Sequence, residues 1–153
     1  MKSLLAFIAA VALAAFAASR FRPGIWYESL ARPSWTPPNW LFAPVWTVLY
    51  LAIAIAGWLV WRALPDPVPR LAILLWVGQL VLNACWSWLF FGLHQPGYAL
   101  LDIIVLLVFI TAFIAVAHRV SPVAASLFIP YLLWVGFATA LNAAIWQLNR
   151  AAV

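Results

Sequence analysis

Two helical faces carry most of the chemistry in this sequence. Gln79, Asn83, Trp86, Ser87 and Phe90 fall at i, i+4, i+7, i+8 and i+11, the spacing of one helix face. Tyr131, Trp134, Ala138, Asn142, Ile145 and Asn149 fall at i, i+3, i+7, i+11, i+14 and i+18, a second such face. Trp46 and Tyr50, four apart, begin a third. Amides, phenols and indoles in this pattern can hydrogen-bond and can stack on a flat ring. No acid–base dyad, activated nucleophile or Cys/His metal cluster accompanies them, so no metal site and no conventional enzyme is expected. Asp102 is the one carboxylate inside an apolar run. It is either a functional intramembrane acid or an interfacial residue favoured by a nearby helix start. His94 and His118 lie at helix ends and do not pair in sequence, and Cys85 has no partner cysteine.

These faces belong to long apolar runs. The chain has 153 residues, of which 69% are hydrophobic and only 7% charged, against about 25% charged in soluble domains. Its mean hydropathy is +1.08. A soluble chain this short could not hide so much apolar surface, so lipid must be the main solvent. The runs are continuous rather than alternating, which excludes a transmembrane barrel and leaves a helical bundle. Amides are costly in lipid unless they face protein, so the faces above point inward. They form either helix-to-helix contacts, as favoured for Asn142 and Asn149, or a pocket for a flat apolar ligand. For Asn83 and Trp86 both readings stand.

Five runs reach the about 20 residues needed to cross a bilayer. They cover roughly 3–19, 43–62, 70–92, 97–118 and 122–148, in a single domain over 1–153. Pro44 is expected in the first turn of the second run, Gly92 closes the third, and Pro130 should kink the fifth. The connections 63–69, 93–96 and 119–121 are short, so sequential helices are antiparallel neighbours. Lys2, an apolar stretch and small residues near position 18 also fit a secretory signal peptide. The net charge of +5 is spread singly over run ends, which suits headgroup anchoring rather than nucleic acid. Lys2, Arg62, Arg70 and Arg119 fall on one side of a five-span topology, and Arg20, Arg22, Arg32 and Arg150 on the other. The positive-inside rule therefore gives no orientation.

The 20–42 connection is long, and long connections are usually functional or disordered. This one is too aromatic for disorder. From Trp26 to Tyr50 the sequence reads WYESLARPSWTPPNWLFAPVWTVLY, with Trp26, Trp35, Trp40 and Trp46 among its prolines. Pro33, Pro37 and Pro38 stiffen it. It is either an interfacial aromatic belt or a lid over a cavity, and four tryptophans so close together favour the lid.

The pattern WY-x2-L-x-R-P-x-W-x-P-P-x-W, from Trp26 to Trp40, resembles the signature of the TspO/MBR family, the translocator proteins or peripheral-type benzodiazepine receptors. P-x-W-T-x-L-Y (Pro44 to Tyr50), L-N-x2-W-S-x-L-F-F-G and P-Y-L-x-W-x2-F-A-x2-L-N extend the resemblance over nearly the whole chain. It implies an all-α membrane protein, a five-transmembrane-helix bundle with a long aromatic and proline-rich loop between helices 1 and 2. The first run would then be kept as a helix. It further implies a homodimer with a pocket beneath that loop. The expected ligand is protoporphyrin IX or a related tetrapyrrole, with isoquinoline carboxamides and benzodiazepines as further ligands. By motif position the ligand-binding residues would be Trp26, Tyr27, Pro37, Trp46, Tyr50, Asn83, Trp86, Trp134 and Ala138. If porphyrin is degraded under light, Trp26 and Trp134 would be the catalytic residues, with porphyrin as both sensitiser and substrate and no separate cofactor. The animal cholesterol motif is not matched. Between Leu141 and Arg150 there is no tyrosine and Trp146 is the sole aromatic, so cholesterol recognition is not expected.

Three functions follow: a tetrapyrrole sensor or regulator, a light-dependent porphyrin-degrading activity, and porphyrin or sterol transport. Transport is the weakest, because no internal repeat suggests alternating access. The alanine-rich first run and Gly78 offer small surfaces for dimerisation. The pI near 10.2 and the lack of a long targeting extension lean towards a bacterial inner membrane.

Overall fold

The computed structural model describes residues 2–63 and 67–150. The 63–69 connection therefore falls partly outside the described residues. The elements are α1 (Lys2–Ser19), α2 (Ile25–Ser29), α3 (Asn39–Trp61), α4 (Pro67–Ser87), α5 (Pro96–His118) and α6 (Pro122–Leu148). No strand occurs among the described residues. α3, α4, α5 and α6 are long and apolar enough to cross a membrane, and α1 is a shorter apolar helix of 18 residues. Leu13, Leu74, Leu101, Val108 and Leu133 turn outward and exposed, as a lipid-facing surface requires. The chain is a multi-pass membrane protein.

The five long helices close a ring in the order α1–α3–α6–α5–α4, with α3 also touching α4. One end of the ring is solid. Phe113 and Phe128, both fully buried, sit with ring centroids 3.9 Å apart. The Trp76 indole N–H donates to the Ile53 carbonyl at 2.8 Å, so the ring is held between α3 and α4. Gly57 permits this: a Cβ there would lie 2.6 Å from the Trp76 ring and 2.8 Å from Phe7. Gly78 likewise meets Phe109 of the same chain. The close approach expected of Gly78 in a dimer is thus made inside the bundle.

Two boundaries differ from the sequence expectation. α3 starts at Asn39, not near 43, because Pro38 in an extended conformation ends the loop and acts as N-cap. Pro44 therefore lies inside the helix rather than in its first turn. α4 starts at Pro67 and runs into a π-helical segment, Trp88–Gly92. Its signature is the Leu93 N–H donating to the Trp88 carbonyl at 2.8 Å. His94 follows with φ of 57°, a left-handed turn uncommon for a non-glycine residue. Pro96 and Pro122 open α5 and α6 at or beside the first position, where a missing N–H is harmless. Ser121 caps α6, its Oγ accepting from the Ala124 N–H at 3.2 Å. Pro130 lies inside α6, which continues past it without a break.

Candidate functional site

The other end of the ring is hollow. A cavity of about 490 Å³ opens there between α1, α3, α4, α5, α6 and the 20–38 segment. Each wall follows from helical spacing. On α3, Asn39, Phe42, Ala43, Trp46 and Tyr50 line it, at i, i+3, i+4, i+7 and i+11. On α4 the lining residues are Asn83, Trp86 and Ser87, and on α6 Trp134, Val135 and Ala138. Ile103 and Leu106 complete the α5 side, while α1 contributes only small groups, Ala15, Ala18 and Ser19.

The floor is a chain of hydrogen bonds. Tyr50 donates its hydroxyl to Asn83 Oδ1 at 3.2 Å, Asn83 Nδ2 donates to the Tyr131 hydroxyl at 3.0 Å, and Tyr131 donates to Gln79 Oε1 at 2.9 Å. Tyr131 and Gln79 are fully buried. The Gln79 Nε2 and the Asp102 Oδ2 make no hydrogen bond among the described residues. Asp102 does not line the cavity, although Ile103 beside it does. Low polarity strengthens each bond in such a chain, so the Tyr50 hydroxyl and Asn83 amide present fixed polar groups to a largely apolar space. Trp86 is set by a second chain. Its N–H donates to Asn142 Oδ1 at 2.9 Å, and Asn142 Nδ2 donates to the Pro96 carbonyl at 2.8 Å.

The long connection covers this end, its backbone held by a side-chain amide at the C-terminal end of α6. Asn149 Oδ1 accepts from the Ala31 N–H at 3.0 Å, and its Nδ2 donates to the Ala31 carbonyl at 2.9 Å. Arg32 lies over the Tyr27 ring at 5.1 Å, and Trp35 meets Phe137 edge-on at 5.7 Å. The Thr36 N–H and hydroxyl both bond to the Pro33 carbonyl, closing a tight turn.

Seven of the nine residues singled out from sequence line the cavity: Tyr27, Trp46, Tyr50, Asn83, Trp86, Trp134 and Ala138. Trp26 does not. It stacks on His94, centroids 4.2 Å apart and planes 14° from parallel, and meets Phe90 edge-on. Pro37 lines a separate, open recess within the connection, with Arg32, Pro33 and Thr36. Trp35 and Trp40 also stay out of the cavity wall, and Trp40 is among the most exposed large side chains. From the connection the wall takes Arg22, Pro23 and Tyr27 instead.

Helical spacing placed Phe90 on the cavity face, but Phe91 takes that place and Phe90 is buried behind Trp86, 5.2 Å away. The cause is the π-helical turn, which adds a residue and rotates everything after it. Phe42 was missed although it stands four residues before Trp46 on the same face. Arg22 and Asn39 carried no signal, since both fall in the 20–42 connection, outside every apolar run expected from the sequence. Among the described residues no three His, Cys, Asp or Glu side chains come together as a metal site would need.

A cavity with these walls, closed by this connection, invites comparison with known proteins. The model of the TspO/MBR family matches residues 4–147. The chain belongs to the TspO/MBR family. It is 40% identical to the translocator protein of Homo sapiens over 149 residues, covering 94% of this chain and 88% of the human one. It is 41% identical to the tryptophan-rich protein TspO of Chlorobaculum tepidum over 144 residues, 88% of this chain and 87% of that one. It is also 32% identical to the tryptophan-rich sensory protein of Cereibacter sphaeroides over 145 residues, 95% of this chain and 90% of that one. The match spans every element of the bundle, including the covering connection.

Proposed function

We propose that this TspO/MBR protein binds a flat tetrapyrrole, with protoporphyrin IX as the expected ligand, and serves as a sensor or regulator of porphyrin level or stress. The observation that carries the reading is the cavity itself. Its volume of about 490 Å³ lies within the about 300–1,000 Å³ of small-molecule sites. Its walls are mainly apolar and rich in aromatic rings, with a few fixed polar groups. The name of the sensory relative in Cereibacter sphaeroides supports a signalling role. The same space suits isoquinoline carboxamide and benzodiazepine ligands, which share flat aromatic bodies and a carbonyl that Asn83 or Tyr50 could meet. Cholesterol is not an expected ligand.

α1 is proposed as a fifth span. Its 18 residues reach about 27 Å at 1.5 Å per residue, close to the hydrocarbon thickness of about 30 Å. A homodimer through the exposed Ala6, Ala9 and Ala10 of α1 would use the close approach that small residues allow. The proposed location is a bacterial inner membrane.

Light-dependent porphyrin degradation is the second reading, favoured by three indoles in the wall, Trp46, Trp86 and Trp134. An indole against an excited porphyrin can exchange an electron with it. Trp134, which lines the cavity, is the indole proposed for that contact, whereas Trp26, outside the wall, would act only after the covering segment moved.

The test is quenching of tryptophan fluorescence by protoporphyrin IX in detergent, in darkness and then under light, with Trp134→Phe alongside. Saturable quenching with an unchanged Soret band supports the sensor. Saturable quenching with Trp134-dependent bleaching supports degradation. Absence of saturable quenching overturns both.

A further inference from the structure

We propose that Arg22 makes the cavity selective for ligands that carry a carboxylate, by pairing with that group at the cavity mouth. This inference rests on the tetrapyrrole reading and adds to it the chemistry of the ligand's edge. Among the described residues Arg22 is the one charged side chain in the cavity wall. It is positioned, because its Nε donates to the Ser19 carbonyl at 3.0 Å at the end of α1. Its Nη groups make no hydrogen bond or ion pair among the described residues. A guanidinium held at one edge in this way presents the other to an anion, the geometry suited to two-point carboxylate binding.

The other arginines at this end, Arg20, Arg32 and Arg150, stand outside the cavity wall. Arg32 lies over Tyr27 at 5.1 Å and Arg150 over Trp146 at 4.4 Å. Asn39 also lines the cavity; its side-chain amide makes no hydrogen bond among the described residues and can donate to an anion held there. The layout is therefore graded: apolar rings in the body, neutral hydrogen-bonding groups at the floor, and a cation at the mouth. A flat apolar molecule with acid groups on one edge matches that grading, with its acids outward and its ring system inward.

The experiment compares protoporphyrin IX with its dimethyl ester, which keeps the ring system and removes the negative charge. Binding is read as tryptophan quenching in uncharged detergent at low salt, for the unmodified protein, Arg22→Gln and Arg150→Gln. The expected result is that the ratio of ester Kd to diacid Kd falls about fivefold in Arg22→Gln, the size of one partly exposed charge pair. It stays unchanged in Arg150→Gln, which alters net charge equally at the same end. The diacid preference should also fade as salt is raised, since an exposed pair is screened. An unchanged ratio in Arg22→Gln overturns the inference and leaves Arg22 as an interfacial anchor. Equal binding of diacid and ester by the unmodified protein also overturns it, while leaving the porphyrin reading intact. If neither compound binds the unmodified protein, the porphyrin reading fails first.

Discussion

The two ends of this bundle are built from similar residues and do opposite things with them. At the solid end Trp76, Phe113 and Phe128 are buried, and Gly57 removes the one Cβ that would keep the Trp76 ring out. At the hollow end Trp46, Trp86 and Trp134 stand around a space instead of filling it. The difference lies in what surrounds each ring. Solid-end aromatics are enclosed by neighbouring side chains, Trp76 included although its N–H is also bonded to the Ile53 carbonyl, so their position depends on packing density. At the hollow end, hydrogen bonds tie down the Trp86 indole and the Tyr50 hydroxyl. A ring fixed by its polar edge does not need its face covered, so the face stays available to a ligand.

Substitutions can break this comparison. The largest stability effect is expected from Phe113→Ala, which empties a fully buried site at the solid end. The expected cost is about 3 kcal/mol, read as thermal unfolding in detergent, with porphyrin affinity of the remaining folded protein little changed. A larger loss of affinity than of stability would mean that the ends are not separable.

Asn149→Ala comes next. It leaves the Ala31 N–H and carbonyl without their partner, at a cost of about 1–3 kcal/mol. The loss should appear locally, as faster amide exchange over residues 25–36, with the exchange of α5 unaltered. Uniformly faster exchange would show that the covering segment and the bundle unfold together.

Ala138→Phe sharpens the contrast from the other side. It fills the cavity, so porphyrin quenching should fall at least about tenfold, while stability changes by less than about 1 kcal/mol. A strongly destabilised variant would show that the space is occupied by packing after all. The smallest effect is expected from Tyr50→Phe, which removes the first donor of the floor chain. Its cost is about 1 kcal/mol or less, read as a few-fold weaker binding with unchanged unfolding.

Much of the bundle was legible in the sequence because lipid imposes a simple rule. Backbone groups must be satisfied within each segment, so apolar runs bounded by prolines and arginines marked α3 to α6 to within a few residues. The inward faces were legible for a related reason. Gln79, Asn83, Tyr131 and Asn142 are polar in apolar surroundings and had to meet protein, and the structure joins them in two hydrogen-bonded chains. The connection was harder. Its tryptophans suggested a covering lid, yet Tyr27 enters the wall and Trp26 stacks on His94. Neighbouring residues on α2, a helix of 5 residues, point in different directions. Which one faces the cavity is set by what the helix docks against.

By itself the sequence determined the solvent, the helical class, the family resemblance and the residues obliged to point inward. All of these follow from transfer free energies and from spacing along one chain. The tertiary structure decided which inward faces meet and which stand apart. It decided that the π-helical turn after Ser87 exchanges Phe90 for Phe91, and that Arg22 stands at the mouth while Arg32 does not. Those outcomes depend on contacts between segments far apart in sequence, such as Asn149 with Ala31, and periodicity within one helix carries no information about its neighbours.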